Sequence, residues 1–240
     1  MKEKIIGVLG GMGPESTAEL LARITRSTPA ATEQEHLRVI IDSNPKIPNR
    51  TDSLLSGESK AIIEALGQTA CNLERAGAEV LCIPCNTAHA YLADVRTAVD
   101  IPVLDMIDEA ARTAREAFGE GVTVGLLATD GTIRSRLYHD ALTNHGLIGM
   151  APTMQGVQNA VMDALETVKL HGVSEDVYRV LAVAMRDLVG QGATVMIAGC
   201  TEISLVFERF SPEIPWIDPL QVLAEAVVRE AMAEKSGSAR

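Results

Sequence analysis

The chain has 240 residues, 47% of them hydrophobic, with 19 glycines and 10 prolines, enough to bury a substantial core as one large domain or two small lobes. A formal net charge of -11, with no basic run to offset it, argues against a nucleic-acid or anionic-membrane partner. Aromatic residues at 3% leave little to stack bases on.

From the N-terminus, "MKEKIIGVLGG" has charge and then a short apolar stretch, but "MGPEST" follows where a secretory leader would continue. No apolar run approaches bilayer length, so the expected location is cytoplasmic. Apolar runs predict strands at Ile5–Leu9, Leu37–Ile41, Val80–Ile83, Pro102–Leu104, Val122–Ala128, Leu147–Ala151, Thr194–Ala198 and Pro215–Ile217. Between them lie amphipathic segments of helical spacing, such as Leu220, Leu223, Val227 and Ala231. Strands alternating with helices imply α/β architecture, with parallel sheets covered on both faces. The polar end "EKSGSAR" is expected to fray.

The chain also repeats itself. Gly77-Ala78-Glu79-Val80 precedes Cys85, and Gly192-Ala193-Thr194-Val195 precedes Cys200, each pair 115 residues apart. "IPVLDMIDEAARTA" from Ile101 resembles "IPWIDPLQVLAEAV" from Ile214, and Gly7-Val8-Leu9 resembles Gly125-Leu126-Leu127. The period suits a duplicated small domain and is too long for a solenoid. Two such lobes form a cleft, and each brings one thiol to the carboxyl end of a strand, where open α/β sheets bind ligands.

Cys85 and Cys200 each sit where a strand gives way to a helix. A thiol titrates close to neutral pH, and a helix N-terminus is expected to lower its pKa further. One thiolate can take a proton from one face of a carbon while the opposite thiol returns one to the other face, inverting a stereocentre. By contrast, Cys71 in a helical stretch and Cys82 inside "EVLCIP" read as small core residues. Cys82-Ile83-Pro84-Cys85 matches a C-x-x-C redox or metal spacing, but its first cysteine lies within a strand and no second ligand pair accompanies it. His36, His89, His139, His145 and His171 have no metal spacing and read as structural or surface residues; His89 follows Cys85 by one turn.

Other segments surround these two corners. "GGMGPES" (Gly10–Ser16) lacks both a G-x-G-x-x-G pattern and a Walker lysine, yet glycines ahead of a helix expose N–H groups that suit a carboxylate. Pro14 fits the first helical position. "LATDGTI" occupies the equivalent corner of the second repeat, with the Thr129 and Thr132 hydroxyls available to the same ligand. Arg50, in the Pro-rich "SNPKIPNRT" loop, suits bidentate capture of a carboxylate, and Lys169 ends a helix.

With these residues in view, the chain resembles the aspartate/glutamate racemase family in its cofactor-independent aspartate racemase branch, over essentially its full length. The resemblance rests on "GVLGGMGPEST", "NPKIPNRT", "GAEVLCIPCNTAHAY", "IPVLDMI", "GLLATDGTI" and "GCTEISL". It implies two pseudo-symmetric, Rossmann-like lobes with the site between them: residues 1–100 with 213–240 carrying Cys85, and 101–212 carrying Cys200. It implies catalysis without pyridoxal phosphate, metal or other cofactor, and a homodimer acting on a small amino-acid substrate, a dicarboxylate. By resemblance Cys85 is the base for the D-enantiomer and Cys200 for the L-enantiomer. Asn86, Thr87, Thr201, Gly11 and Met12 correspond to α-carboxylate contacts, and Arg50 and Lys169 to the side-chain carboxylate. Thr129, Thr132 and Glu202 complete the expected binding set. Aspartate racemisation leads; the alternatives are glutamate or broad-specificity racemisation, a maleate isomerase or hydantoin racemase relative, and a non-catalytic dicarboxylate-binding protein.

Overall fold

The computed structural model describes residues 3–233. The polar C-terminal stretch expected to fray lies outside the described residues. The elements in order are β1 (Ile6–Gly10), α1 (Pro14–Ser27), β2 (Val39–Ser43), α2 (Arg50–Ser56), α3 (Lys60–Arg75), β3 (Val80–Cys82), α4 (Leu92–Ala98) and α5 (Met106–Phe118). Then follow β4 (Thr123–Ala128), α6 (Asp130–Arg134), α7 (Leu137–Asn144), β5 (Ile148–Met150), α8 (Gln155–His171), α9 (Glu175–Gly190), β6 (Val195–Gly199), α10 (Thr201–Phe210), β7 (Trp216–Ile217) and α11 (Pro219–Met232). No helix among the described residues is long and apolar enough to cross a membrane.

Both sheets are parallel. One runs β2-β1-β3 and the other β5-β4-β6-β7. The central strands β1 and β4 are apolar and almost wholly buried, as a strand covered by helices on both faces must be. Val8 pairs with Cys82 in the first sheet, and Ala128 with Gly199 in the second, so the strands leading to the two thiols each lie beside their lobe's central strand.

The expected strand at Pro102–Leu104 is reduced to one bridge, Val103 to Leu81, flanked by Leu81 N–H donating to Pro102 O (2.8 Å) and Leu104 N–H to Leu81 O (2.9 Å). This segment occupies in the first sheet the place that β7 takes in the second. The division expected at residues 101 and 213 is therefore corrected at both seams. The segment around Val103 stays with the first sheet, and β7 stays with the second, where Ile197 pairs with Ile217.

What crosses over is the helix after each. In α5, Ile107, Ala110, Ala111 and Ala114 pack on Val124, Leu126, Val195 and Ile197 of the second sheet. In α11, Leu220, Leu223, Ala224 and Val227 pack on Ile6, Val8 and Val80 of the first, together with Leu20 of α1. Each crossing helix is started by an aspartate. Asp105 accepts from Ile107 N–H and Asp108 N–H, and Asp218 accepts from Leu220 N–H. The two helices thus hold the lobes face to face, with the carboxyl ends of both sheets opening on one cleft.

Candidate active site

Cys85 follows β3 and precedes a short 3₁₀ turn, Thr87–Tyr91; Cys200 is the N-cap residue of α10. Both thiols are nearly buried, 7% and 8% exposed, and both line one narrow cleft. Met12, Asn49, Arg50, Thr51, Asn86, Thr87, Thr129, Lys169, Thr201 and Glu202 complete the wall. A wider space adjoins it, shares Met12, Asn49, Arg50, Lys169 and Glu202, and adds Pro14, Pro45, Ile47 and Leu205.

Of the sequence-expected residues, Gly11 and Thr132 stand behind the wall. Gly11 has φ +92, and a Cβ there would meet the Asn44 backbone at 2.4 Å, so this loop needs glycine. Its N–H is already taken by Thr17 Oγ1 at 2.8 Å, which removes it from the donors expected to meet an anion. Thr132 joins a triangle of hydroxyls: Thr87 to Thr129 at 3.0 Å, Thr87 to Thr132 at 3.0 Å and Thr129 to Thr132 at 3.1 Å. Thr87 comes from the first lobe and the other two from the second, so Thr132 acts on the wall from behind. Gly131 makes this approach possible, since a Cβ there would lie 3.0 Å from Thr51 Cα and Thr87 Cγ2.

The electrostatics around Cys200 depart from the sequence expectation. Burial pushes its thiol well above the ordinary range, and the Glu202 carboxylate adds to the effect; Lys169 opposes it. The Cys200 thiol donates to Glu202 Oε2 at 2.8 Å, and Thr201 Oγ1 donates to the same oxygen at 3.3 Å. The helix N-terminus does not outweigh desolvation plus a neighbouring anion. Cys200 rests as a thiol. Glu202, expected to bind substrate, faces the cleft but is engaged with this thiol.

Two polar nitrogens of the wall are buried without a hydrogen-bond partner among the described residues: Arg50 Nε and Asn86 Nδ2. Both are donors, and both would be costly to bury unless something accepts from them. Arg50 is the first residue of α2, after an N-cap in which Asn49 Oδ1 accepts from Thr51 N–H at 2.9 Å, and its guanidinium also donates to Pro48 O at 3.0 Å. The expected loop position is corrected accordingly. Lys169 lies in the last turn of α8, as expected, and faces the same opening.

Cys82 is wholly buried, with its thiol directed at Gly7 O (3.7 Å) and its pKa pushed up to about 12 by burial. It has neither the exposure nor the ionisation that a reactive C-x-x-C partner needs. His89 is structural. Its Nε2 accepts from Met106 N–H (3.1 Å), which leaves Nδ1–H to donate to Cys85 O (2.9 Å). No group of three or more His, Cys, Asp or Glu suited to holding a metal occurs among the described residues.

Sequence reasoning passed over Asn49, Thr51, Ser16 and Tyr138. Ser16 Oγ donates to Thr201 Oγ1 (2.7 Å) from the opposite lobe, and Tyr138 likewise reaches Asn86. Asn49 and Thr51 flank Arg50 in a motif already singled out. Ser16 and Tyr138 act across the cleft, where sequence spacing carries no signal.

The Asp/Glu/hydantoin racemase family model matches residues 9–227. The chain belongs to that family. It is an enzyme of the racemase type, an isomerase. Over 240 residues it is 27% identical to the broad-specificity amino-acid racemase RacX of Bacillus subtilis, covering 97% of this chain and 100% of that one. The aspartate racemase of Picrophilus torridus superposes with a TM-score of 0.82 at 25% identity, over 95% and 94% of the two chains. A glutamate racemase from Francisella tularensis, solved with D-glutamate, shares the fold, with a TM-score of 0.69 at 21% identity over 95% and 80%.

Proposed function

We propose that this racemase interconverts the enantiomers of a dicarboxylic amino acid, aspartate first, using Cys85 and Cys200 as paired base and acid without pyridoxal phosphate or metal. One observation carries the reading: two buried thiols, one from each lobe, line a single cleft that also holds unpartnered cationic and amide donors. With the D-enantiomer, a Cys85 thiolate takes the Cα proton and the Cys200 thiol gives its own to the opposite face. Cys200 is left as thiolate and Cys85 as thiol, which is the protonation state required for the return reaction. The negative charge that builds on the α-carboxylate as the carbanion forms is met by Asn86 Nδ2–H and the surrounding hydroxyls. Arg50 and Lys169 pair with the second carboxylate.

The wider opening, with Met12, Ile47 and Leu205 in its wall, favours a second reading in which neutral side chains are also accepted. The broad-specificity name of the B. subtilis relative is consistent with it. Chiral chromatography of L-aspartate, L-glutamate and several neutral amino acids, incubated with metal- and pyridoxal-phosphate-free protein, separates the two. Aspartate should racemise fastest, and Arg50→Ala should cut its kcat/KM about ten- to a hundredfold while leaving neutral substrates nearly unchanged. Equal loss for all substrates means that Arg50 positions its helix and does not read the side chain. Activity that appears only after adding pyridoxal phosphate or metal defeats the two-thiol mechanism.

A further inference from the structure

Tyr138 is fully buried on α7 of the second lobe, and its phenol reaches across to the amide of Asn86, the residue after Cys85 in the first lobe. The Tyr138 O–H donates to Asn86 Oδ1 at 2.5 Å. The phenol has no other hydrogen-bond partner among the described residues, so its proton must point at an acceptor, and the amide oxygen is the acceptor in place. An amide can present its oxygen or its NH₂ to the cleft. Held by the phenol, Asn86 commits its oxygen to Tyr138 and leaves Nδ2 buried and unpartnered, on a residue that lines the cleft.

We infer that Tyr138 is a positioning residue that fixes the orientation of the Asn86 amide, so that a hydrogen-bond donor and not an acceptor faces the substrate carboxylate. The inference rests on the proposed carboxylate site. A flipped amide would put a partial negative charge against an anion at the point where charge grows during proton abstraction. Burial raises the Tyr138 phenol well above its ordinary range, with the Asp218 charge adding to it, so the donor persists at alkaline pH. The contact also spans the lobes, which ties the amide's orientation to the cleft being assembled.

The test is a double-mutant cycle on the full chain with Tyr138→Phe, Asn86→Ala and the pair, read as kcat/KM for aspartate and as succinate affinity by calorimetry. Tyr138→Phe keeps the ring; the thermal midpoint of each variant checks folding. The expected result is a loss of about ten- to a hundredfold in kcat/KM for Tyr138→Phe, weaker succinate binding, and a pair no worse than Asn86→Ala alone. Unchanged kinetics and binding in Tyr138→Phe, or losses that simply multiply in the pair, overturn the inference. If the wild-type protein racemises no amino acid, the proposed function fails and the succinate cycle alone judges Tyr138. Wild-type protein that does not bind succinate overturns it as well. Should Tyr138→Phe not fold, Asn86→Asp decides. It places an oxygen on the cleft side in any orientation, and must weaken succinate binding at least as much as Asn86→Ala; tighter binding overturns the inference.

Discussion

Cys200 differs from an ordinary helix-capping cysteine because a carboxylate two residues on accepts its proton at 2.8 Å in a buried cleft. Such a thiol holds its proton tightly, and its thiolate is scarce at neutral pH. If Cys200 serves the L-enantiomer, then kcat/KM for L-aspartate must rise with pH along the Cys200 ionisation, and Glu202 holds that limb at high pH. Glu202→Gln removes the anion and keeps the shape, so the rising limb should move to lower pH in the L-to-D direction. A limb that stays put or moves up means that Glu202 instead receives the thiol's proton during turnover. The division of labour between the cysteines has its own test. Cys85→Ser and Cys200→Ser should each lower net racemisation by about 10²–10⁴-fold or more, since a hydroxyl ionises far too weakly to replace the thiolate. In D₂O, Cys85→Ser should still exchange the Cα hydrogen of L-aspartate slowly with retention, and Cys200→Ser that of D-aspartate. Cys82→Ser should retain most activity. Its loss in a folded protein would restore the C-x-x-C reading.

At the scale of elements, the thiol corner of the first lobe is fixed by a histidine acting as a splice. His89 joins the Cys85 carbonyl to Met106 N–H, the first residue of α5, so the loop bearing the thiol and the helix that crosses to the other lobe share one ring. Burial lowers the His89 pKa, partly offset by the Asp105 charge, so the ring is neutral at pH 7 with its proton on Nδ1. A folded-state pKa below the unfolded value of about 6.5 gives stability that is complete above that pH and is lost as pH falls through the folded pKa. His89→Ala should cost about 2–4 kcal/mol at pH 7.5, from two lost hydrogen bonds and a cavity. The gap between wild type and variant in urea titrations should narrow toward pH 5. A constant gap would show that folding does not lower the His89 pKa, and a gap that widens toward pH 5 would show that the native ring takes up the proton.

The same corner shows what was legible beforehand. The strands could be read because buried parallel strands are continuous apolar runs, and the thiols because the repeat marks them twice. The His89 splice, the Ser16 and Tyr138 contacts and the acidity of Cys200 all depend on which lobe faces which. Local pattern carries none of that. The seams at residues 101 and 213 were misread for a related reason: the strand and helix of "IPVLDMI" are adjacent in sequence yet serve different lobes.

On the scale of the whole molecule, these crossings make the lobes mutually dependent. The first sheet is covered on one face by α11, which follows the last strand of the second sheet, and the second sheet is covered by α5, which follows the last strand of the first. Removing either helix exposes a core face of the other lobe, so neither lobe has a complete core of its own. Arg23 reinforces the coupling. It is 1% exposed on α1 and pairs with Glu19 on its own helix (3.0 Å), Glu208 on α10 (2.5 Å) and Asp218, the N-cap of α11, which also accepts from Ser204 Oγ (2.7 Å). Unfolding should therefore be one transition despite the internal duplication. Trp216, the only tryptophan, packs edge-on against Phe207 and reports the second lobe. Cys82, wholly buried in the first lobe, reports that lobe by thiol labelling once Cys71, Cys85 and Cys200 are serine. In that background the fluorescence and labelling midpoints in urea should coincide. Arg23→Met, which strands Asp218 without its cation, should lower both together by an amount equivalent to about 3–5 kcal/mol. Two separated midpoints, or a shift confined to one probe, would mean that the lobes fold independently and that the crossing helices merely rest on their neighbours.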